Sequence, residues 1–193
     1  MSRADAARSF VVDVAALRRR PGSRRSILLE GEIPELAVTG SHVPEGSTVS
    51  LEGVVESVSG GVLVTGTVSA PFEGECRRCL EVARGRLESK VVELLTDEAD
   101  PDTGYLVDGD TLDLRDVAHD ACILELPLAP LCDEACLGLC PACGANRNTE
   151  PCSCGPTTDP RWAALAELGD SEVSERADLP AGRHRRAPGE KTP

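Results

Sequence analysis

Aromatic side chains are nearly missing from this sequence. Trp162, Tyr105, Phe10 and Phe72 are the whole set in 193 residues, and methionine occurs once. A core must then be assembled from Val, Leu, Ile and Ala, and another source of rigidity is welcome. Long apolar runs are missing as well. None approaches the roughly 20 residues needed to span a bilayer, so no membrane association is expected. Phe10-Val11-Val12 is too short for the apolar part of a secretory leader, and Asp13 interrupts it. These features point to a cytoplasmic protein. Histidine is confined to His42, His119 and His184. There is no phosphate-binding loop and no nucleophile elbow. Cys122 and His119 have the spacing of neighbours on one helix, but nothing marks an orienting group or an oxyanion hole for them. The chain is therefore expected not to be an enzyme and to take no small-molecule substrate.

Charge is abundant but uneven. The net charge is −13, yet residues 1–29 carry +5 and residues 183–193 carry +3, which leaves −21 on residues 30–182. An acidic body repels phosphate backbones and attracts basic proteins. The arginine-rich ends read as solubilising arms, with RNA contact as the alternative.

The 14 prolines and 18 glycines break the chain into short elements. Ser9–Val14 reads as a strand, Ala15–Arg20 as one helical turn stopped by Pro21-Gly22, and Ile27–Ile33 as a second strand. Period-2 alternation marks strands over Thr48–Val58 and Val62–Val68, joined at the hairpin signal Ser59-Gly60-Gly61. Leu80–Leu95 reads as a further strand. Residues 96–110 hold six acidic side chains and read as an acidic loop. Asp113 is placed to cap a helix through Leu114, Val117, Ala118, Ala121, Cys122 and Glu125, ended by Leu126-Pro127. Asp159-Pro160 opens a second helix, with Trp162, Leu165, Ala166 and Leu168 as its stripe and Gly169 as its stop. The fold class expected is α+β. Residues 1–7 form a disordered N-terminus, and 8–95 an antiparallel β-rich unit. After the acidic loop at 96–110, residues 111–170 hold a helix, a cysteine-rich metal region and a terminal helix. Residues 171–193 form a disordered basic tail.

Cysteine is what the sequence does hold: nine residues, at 76, 79, 122, 132, 136, 140, 143, 152 and 154. In a cytoplasmic chain such clusters read as metal or redox sites before disulfides, and an odd count does not suit a pure disulfide framework. Cys76/Cys79 and Cys140/Cys143 are C-x2-C pairs, Cys132/Cys136 is C-x3-C and Cys152/Cys154 is C-x-C. Zinc takes four thiolates in a tetrahedron, and two ligands on one tight turn supply half of it. Pro141 and Gly144 frame the second C-x2-C pair as in a zinc knuckle. Cys140, Cys143, Cys152 and Cys154 fall within 15 residues and can close locally. Cys132 and Cys136 then join Cys76 and Cys79 across more than 50 residues, stapling the two halves of the chain. One site drawn from the six cysteines between 132 and 154, or no metal at all, remains open. Zinc held by four thiolates has no free coordination position, so one or two such ions point to architecture and not to hydrolysis. Each site would carry a net −2, which Arg77, Arg78, Arg84, Arg86 and Arg147 could offset. Cys122 reads as a small apolar core residue. Cys76-Arg-Arg-Cys79 could instead be a redox pair, since arginine neighbours lower a thiol pKa. A thioredoxin-type motif, however, sits between a strand and a helix, and here β-patterned chain follows.

The chain runs, in order, through Glu75-Cys-Arg-Arg-Cys-Leu80, Glu125-Leu-Pro-Leu-Ala-Pro-Leu-Cys132, Cys136-Leu-Gly-Leu-Cys-Pro-Ala-Cys-Gly-Ala-Asn146-Arg-Asn148, Cys152-Ser-Cys154 and Asp159-Pro-Arg-Trp-Ala-Ala-Leu165. These motifs in this order resemble the YceD family, the large ribosomal RNA subunit accumulation proteins. The resemblance implies a role in 23S ribosomal RNA synthesis, processing or stability, with a large-subunit ribosomal protein or the rRNA as partner, and no enzymatic activity. Two other readings stand beside it: a metal-stabilised interaction module unrelated to ribosomes, and a thiol-redox protein using Cys76 and Cys79.

Overall fold

The computed structural model describes residues 9–97, 105–155, 160–162 and 165. Where apolar and polar residues alternate, the chain pairs into antiparallel ladders, because only one face of each ladder meets the core. The elements are β1 (Val11–Asp13), α1 (Ala15–Arg18), β2 (Arg24–Gly31), β3 (Ser41–His42), β4 (Val49–Val58), β5 (Gly61–Glu75), β6 (Val82–Thr96), β7 (Val107–Asp108), β8 (Thr111–Asp113) and α2 (Arg115–Glu125). A 3-10 turn covers Pro160–Trp162. One sheet has the order β2-β4-β5-β3, with β6 on the opposite side of β5 from β4. A smaller sheet has the order β1-β8-β7. The class is α+β, as the alternation indicates.

Val49, Leu51 and Val55 of β4 face Val62, Val64 and Val68 of β5 within the core, with Leu87, Val91 and Leu95 of β6 beside them. Phe10, Leu112 and Leu114 bring the small sheet onto the same core. Helix α2 lies against β6 and β5. It buries Val117, Ala118, Ala121 and Cys122, the spacing of one helical stripe. Asp113 is not the cap expected: Leu114 holds the N-cap position without a side-chain cap hydrogen bond, and Asp113, one residue earlier, accepts the Arg115 N–H through Oδ1 at 2.9 Å. No helix among the described residues is long and apolar enough to cross a membrane.

Two further local expectations need correction, and a third falls mostly outside the described residues. The strand expected over Val62–Val68 runs on to Glu75 through Pro71. A missing N–H is tolerated there: β4 stops pairing at Ser69 and β3 takes over only at Glu73, so that side of the ladder asks nothing of residue 71. The stretch 96–110 is not a plain loop. Residues 98–104 lie outside the described ones, but Thr96 bridges Leu106 and Val107-Asp108 pairs with Thr111-Leu112. Of the helix expected from Asp159, the described residues show the turn Pro160–Trp162, with Trp162 and Leu165 exposed. Ala166, Leu168 and Gly169 lie outside them, as do residues 1–7 and 171–193.

Candidate metal centres

The two C-x2-C pairs fold as the same knuckle. Cys76–Glu81 is the turn between β5 and β6: the Cys76 N–H donates to the Glu81 carbonyl at 2.8 Å and the Leu80 N–H to the Cys76 carbonyl at 2.9 Å. In the second pair the Cys140 N–H donates to the Ala145 carbonyl at 2.8 Å and the Gly144 N–H to the Cys140 carbonyl at 2.8 Å. The residue after each second cysteine is left-handed, Leu80 with φ 64° and Gly144 with φ 77°.

Each knuckle is completed by one further cysteine pair. The sulfurs of Cys76, Cys79, Cys132 and Cys136 all lie within 4.8 Å of one another, as do those of Cys140, Cys143, Cys152 and Cys154. This is the grouping in which the local four close on themselves and the other four span the chain. Four sulfurs about 2.3 Å from one tetrahedral ion stand about 3.8 Å apart. The Cys76–Cys136, Cys79–Cys132 and Cys143–Cys152 sulfur separations are 3.8, 3.5 and 3.6 Å. A disulfide would need about 2.05 Å. The donor sets therefore fit a divalent metal ion and are compatible with zinc. In the first, inner cluster Cys76, Cys79 and Cys136 are buried, with Leu131 and Leu139 packed on it. In the second, outer cluster only Cys140 is buried.

The thiols of each cluster are set apart electrostatically. Burial disfavours the Cys76 thiolate, but the backbone N–H groups of Cys132, Cys79 and Arg78 outweigh it and lower its pKa to about 6. Cys132 is pushed up to about 12, because hydrogen bonds with the Cys79 and Cys136 sulfurs favour its protonated form. The N–H groups of Cys143 and Ala142, with the Cys152 side chain, lower Cys140 to about 6. Sharing with Cys152, Cys143 and Cys140 raises Cys154 to about 12. Each cluster thus holds at least one thiolate readily and resists ionising the last. A divalent cation is what removes that resistance.

Two side chains carry the inner cluster: Arg78, expected only as a charge offset, and Asn148, given no site role by the sequence. Arg78 Nη1 donates to the carbonyls of Glu134 and Cys136, both at 3.0 Å. Its own carbonyl accepts the Leu139 N–H at 2.9 Å, so one arginine ties the hairpin tip to residues 134–139. Asn148 Nδ2 donates to the Cys136 sulfur at 3.3 Å, while its Oδ1 accepts the Leu137 N–H at 2.8 Å. This donation helps hold the Cys136 thiol below its ordinary range against burial. Of the other arginines expected to offset the clusters, Arg84 pairs with Glu73 at 2.7 Å and Arg86 donates to Ser69 Oγ at 2.6 Å, on the sheet. Cys122 is fully buried in the main core, where burial pushes its thiol up to about 11. His119 faces Asp120 at 3.0 Å.

Comparison with known proteins agrees with this architecture. Residues 64–169 match the family model described as large ribosomal RNA subunit accumulation protein YceD, a stretch that contains both clusters. An uncharacterised protein of Mycobacterium tuberculosis is 42% identical over 168 residues, covering 82% of this chain and 81% of its own. One from Mycobacterium leprae is 37% identical over 185 residues, covering 90% and 83%. A chloroplastic protein of Arabidopsis thaliana, the large ribosomal RNA subunit accumulation protein YCED homolog 1, is 45% identical over 42 residues, which is 22% of this chain and 12% of that one. No solved structure matches. With more than half of its length on the family model and the motif cysteines drawn into two four-sulfur clusters, this chain belongs to the YceD family.

Proposed function

We propose that the protein is a non-enzymatic cytoplasmic factor that supports synthesis, processing or accumulation of 23S ribosomal RNA, and with it large-subunit assembly, on a scaffold held by two structural zinc ions. The observation that carries this reading is the family match, which runs from β5 through both clusters. Four thiolates per ion leave no position for substrate or activated water, which favours architecture over chemistry. The redox reading of Cys76 and Cys79 loses ground, because their sulfurs are shared with Cys132 and Cys136 and the knuckle leads into β6. The partner is a large-subunit ribosomal protein or the rRNA itself. An acidic body suits the first and arginine-rich ends suit the second.

Depletion of the protein in its own bacterium tests the ribosomal part. The expected result is a fall in 23S relative to 16S rRNA and in large relative to small subunits on a gradient, restored by the wild-type chain. Unchanged ratios would overturn it. Metal content of chain purified without chelator tests the other part. Two zinc ions per colourless chain are expected, whereas one ion or a brown protein contradicts it.

A further inference from the structure

The two clusters are built alike but differ in access. Three of four inner sulfurs belong to buried residues, whereas Cys143 and Cys154 are exposed and Cys152 is half-buried. The loop between Cys143 and Cys152 carries Asn148, the residue that donates to inner Cys136. Asn146 shapes that loop, accepting the N–H groups of Asn148 through Oδ1 and of Glu150 through its carbonyl, at 3.0 and 2.8 Å. The outer ligands thus hold both ends of a segment whose middle braces the inner site.

We propose that the outer cluster is a reversible oxidation site for hydroperoxides, releasing its metal while the inner cluster keeps the fold. The proposal rests on the zinc reading above. An exposed outer thiolate attacks a peroxide oxygen. An S–O bond forms, the O–O bond breaks, and one oxygen leaves as hydroxide (or, from an organic peroxide, alkoxide). The second outer thiolate then displaces hydroxide from the sulfenic sulfur, forming S–S and breaking S–O. Two electrons have passed from two sulfurs to the peroxide. Cys143 and Cys152 are the pair placed for this, since their sulfurs stand 3.6 Å apart and must close to about 2.05 Å. An ion that loses two of four ligands is released. The new disulfide still closes the loop, so Asn148 stays on Cys136 and the inner site remains filled. Reduction by a dithiol and return of zinc restore the starting state.

The test uses the full zinc-loaded chain and hydrogen peroxide, with released zinc read by a chromogenic chelator and disulfides mapped by peptide mass spectrometry. The first zinc is expected to leave at least tenfold faster than the second, together with a Cys143–Cys152 disulfide, and dithiothreitol plus zinc should reverse it. Simultaneous loss of both ions, or a first disulfide among Cys76, Cys79, Cys132 and Cys136, would overturn the proposal. Asn148→Ala should keep the fast first phase but bring the second close behind it, and an unchanged gap would remove Asn148 from the scheme. A chain isolated with no zinc sinks the zinc reading and this proposal together. Two zincs that leave together sink this one alone.

Discussion

Leu80 and Gly144 occupy one position in two copies of a knuckle, and only glycine is suited to it. Both are left-handed, at φ 64° and 77°, and a side chain in that region costs about 1 kcal/mol that glycine avoids. A Cβ at Gly144 would meet no atom within 4 Å. Gly144→Ala therefore reads the backbone term alone and is expected to cost about 1 kcal/mol. Leu80→Gly should gain up to about 1 kcal/mol. Denaturant unfolding of the zinc-loaded chain checks both. A loss in Leu80→Gly would mean that the exposed leucyl side chain contributes through packing. The same pair shows what single residues disclose. Cys140-Pro-Ala-Cys143-Gly announces its knuckle, because glycine is the residue the turn wants. Cys76-Arg-Arg-Cys79-Leu hides an identical backbone behind a leucine. Asn148 was less legible still: an amide in a polar loop carries no periodicity or spacing, and its contact with Cys136 exists only once the clusters have closed.

At the scale of elements, the fifteen-residue ladder between β5 and β6 carries Cys76 and Cys79 beyond the end of β4 to where Cys132 and Cys136 can meet them. Its core-facing alternation was plain in the sequence wherever valines repeat at every second place. It was obscured past Ser69, because Pro71 sits where neither β4 nor β3 pairs with it, and Gly74 stands between Ser41 of β3 and Ala83 of β6, where a Cβ would come 2.3 Å from the Gly40 carbonyl oxygen. Strands β3 and β7 are two residues long and leave no period to read. In the middle of the sheet Gly66 stands opposite Gly53, and a Cβ on it would come 2.5 Å from the Glu52 carbonyl oxygen. Backbone cannot step aside cheaply, so Gly66→Val is expected to cost about 2–3 kcal/mol, seen as a lower thermal midpoint with zinc bound. The hairpin tip has its own test. Arg78→Ala removes two hydrogen bonds from residues 134 and 136 and should cost about 1 kcal/mol. Faster loss of the inner metal to a chelator should accompany it, with the outer metal unaffected. Equal acceleration at both sites would contradict the stapling role.

For the molecule as a whole, an aromatic-poor core and two four-sulfur clusters would, with the proposed zinc bound, make stability a function of pH through the metal. In the loaded state all eight thiols are ionised, whereas in the unfolded chain cysteines with ordinary pKa near 8.5 are protonated at neutral pH. The unfolded state binds more protons, so stability rises with pH and falls as acid is added. Cys76 and Cys140, lowered to about 6, resist this longest. Cys132 and Cys154, pushed up to about 12, bring proton competition into play even at neutral pH. The inner cluster joins segments far apart in sequence, and, exposed Cys132 apart, protons reach its three buried sulfurs only when the hairpin tip and residues 131–139 part. The outer cluster closes a local loop and asks for no such opening. Acidification from pH 8 to pH 4 is therefore expected to release zinc in two steps. The outer ion should leave first with the β-sheet circular dichroism intact, and the inner ion should leave at lower pH together with loss of that signal. Zinc per chain after desalting at each pH, set against the spectrum, checks this. A single step, or loss of sheet signal with the first ion, would show that the outer cluster supports the sheet directly and that the two metals do not divide the work as their burial indicates.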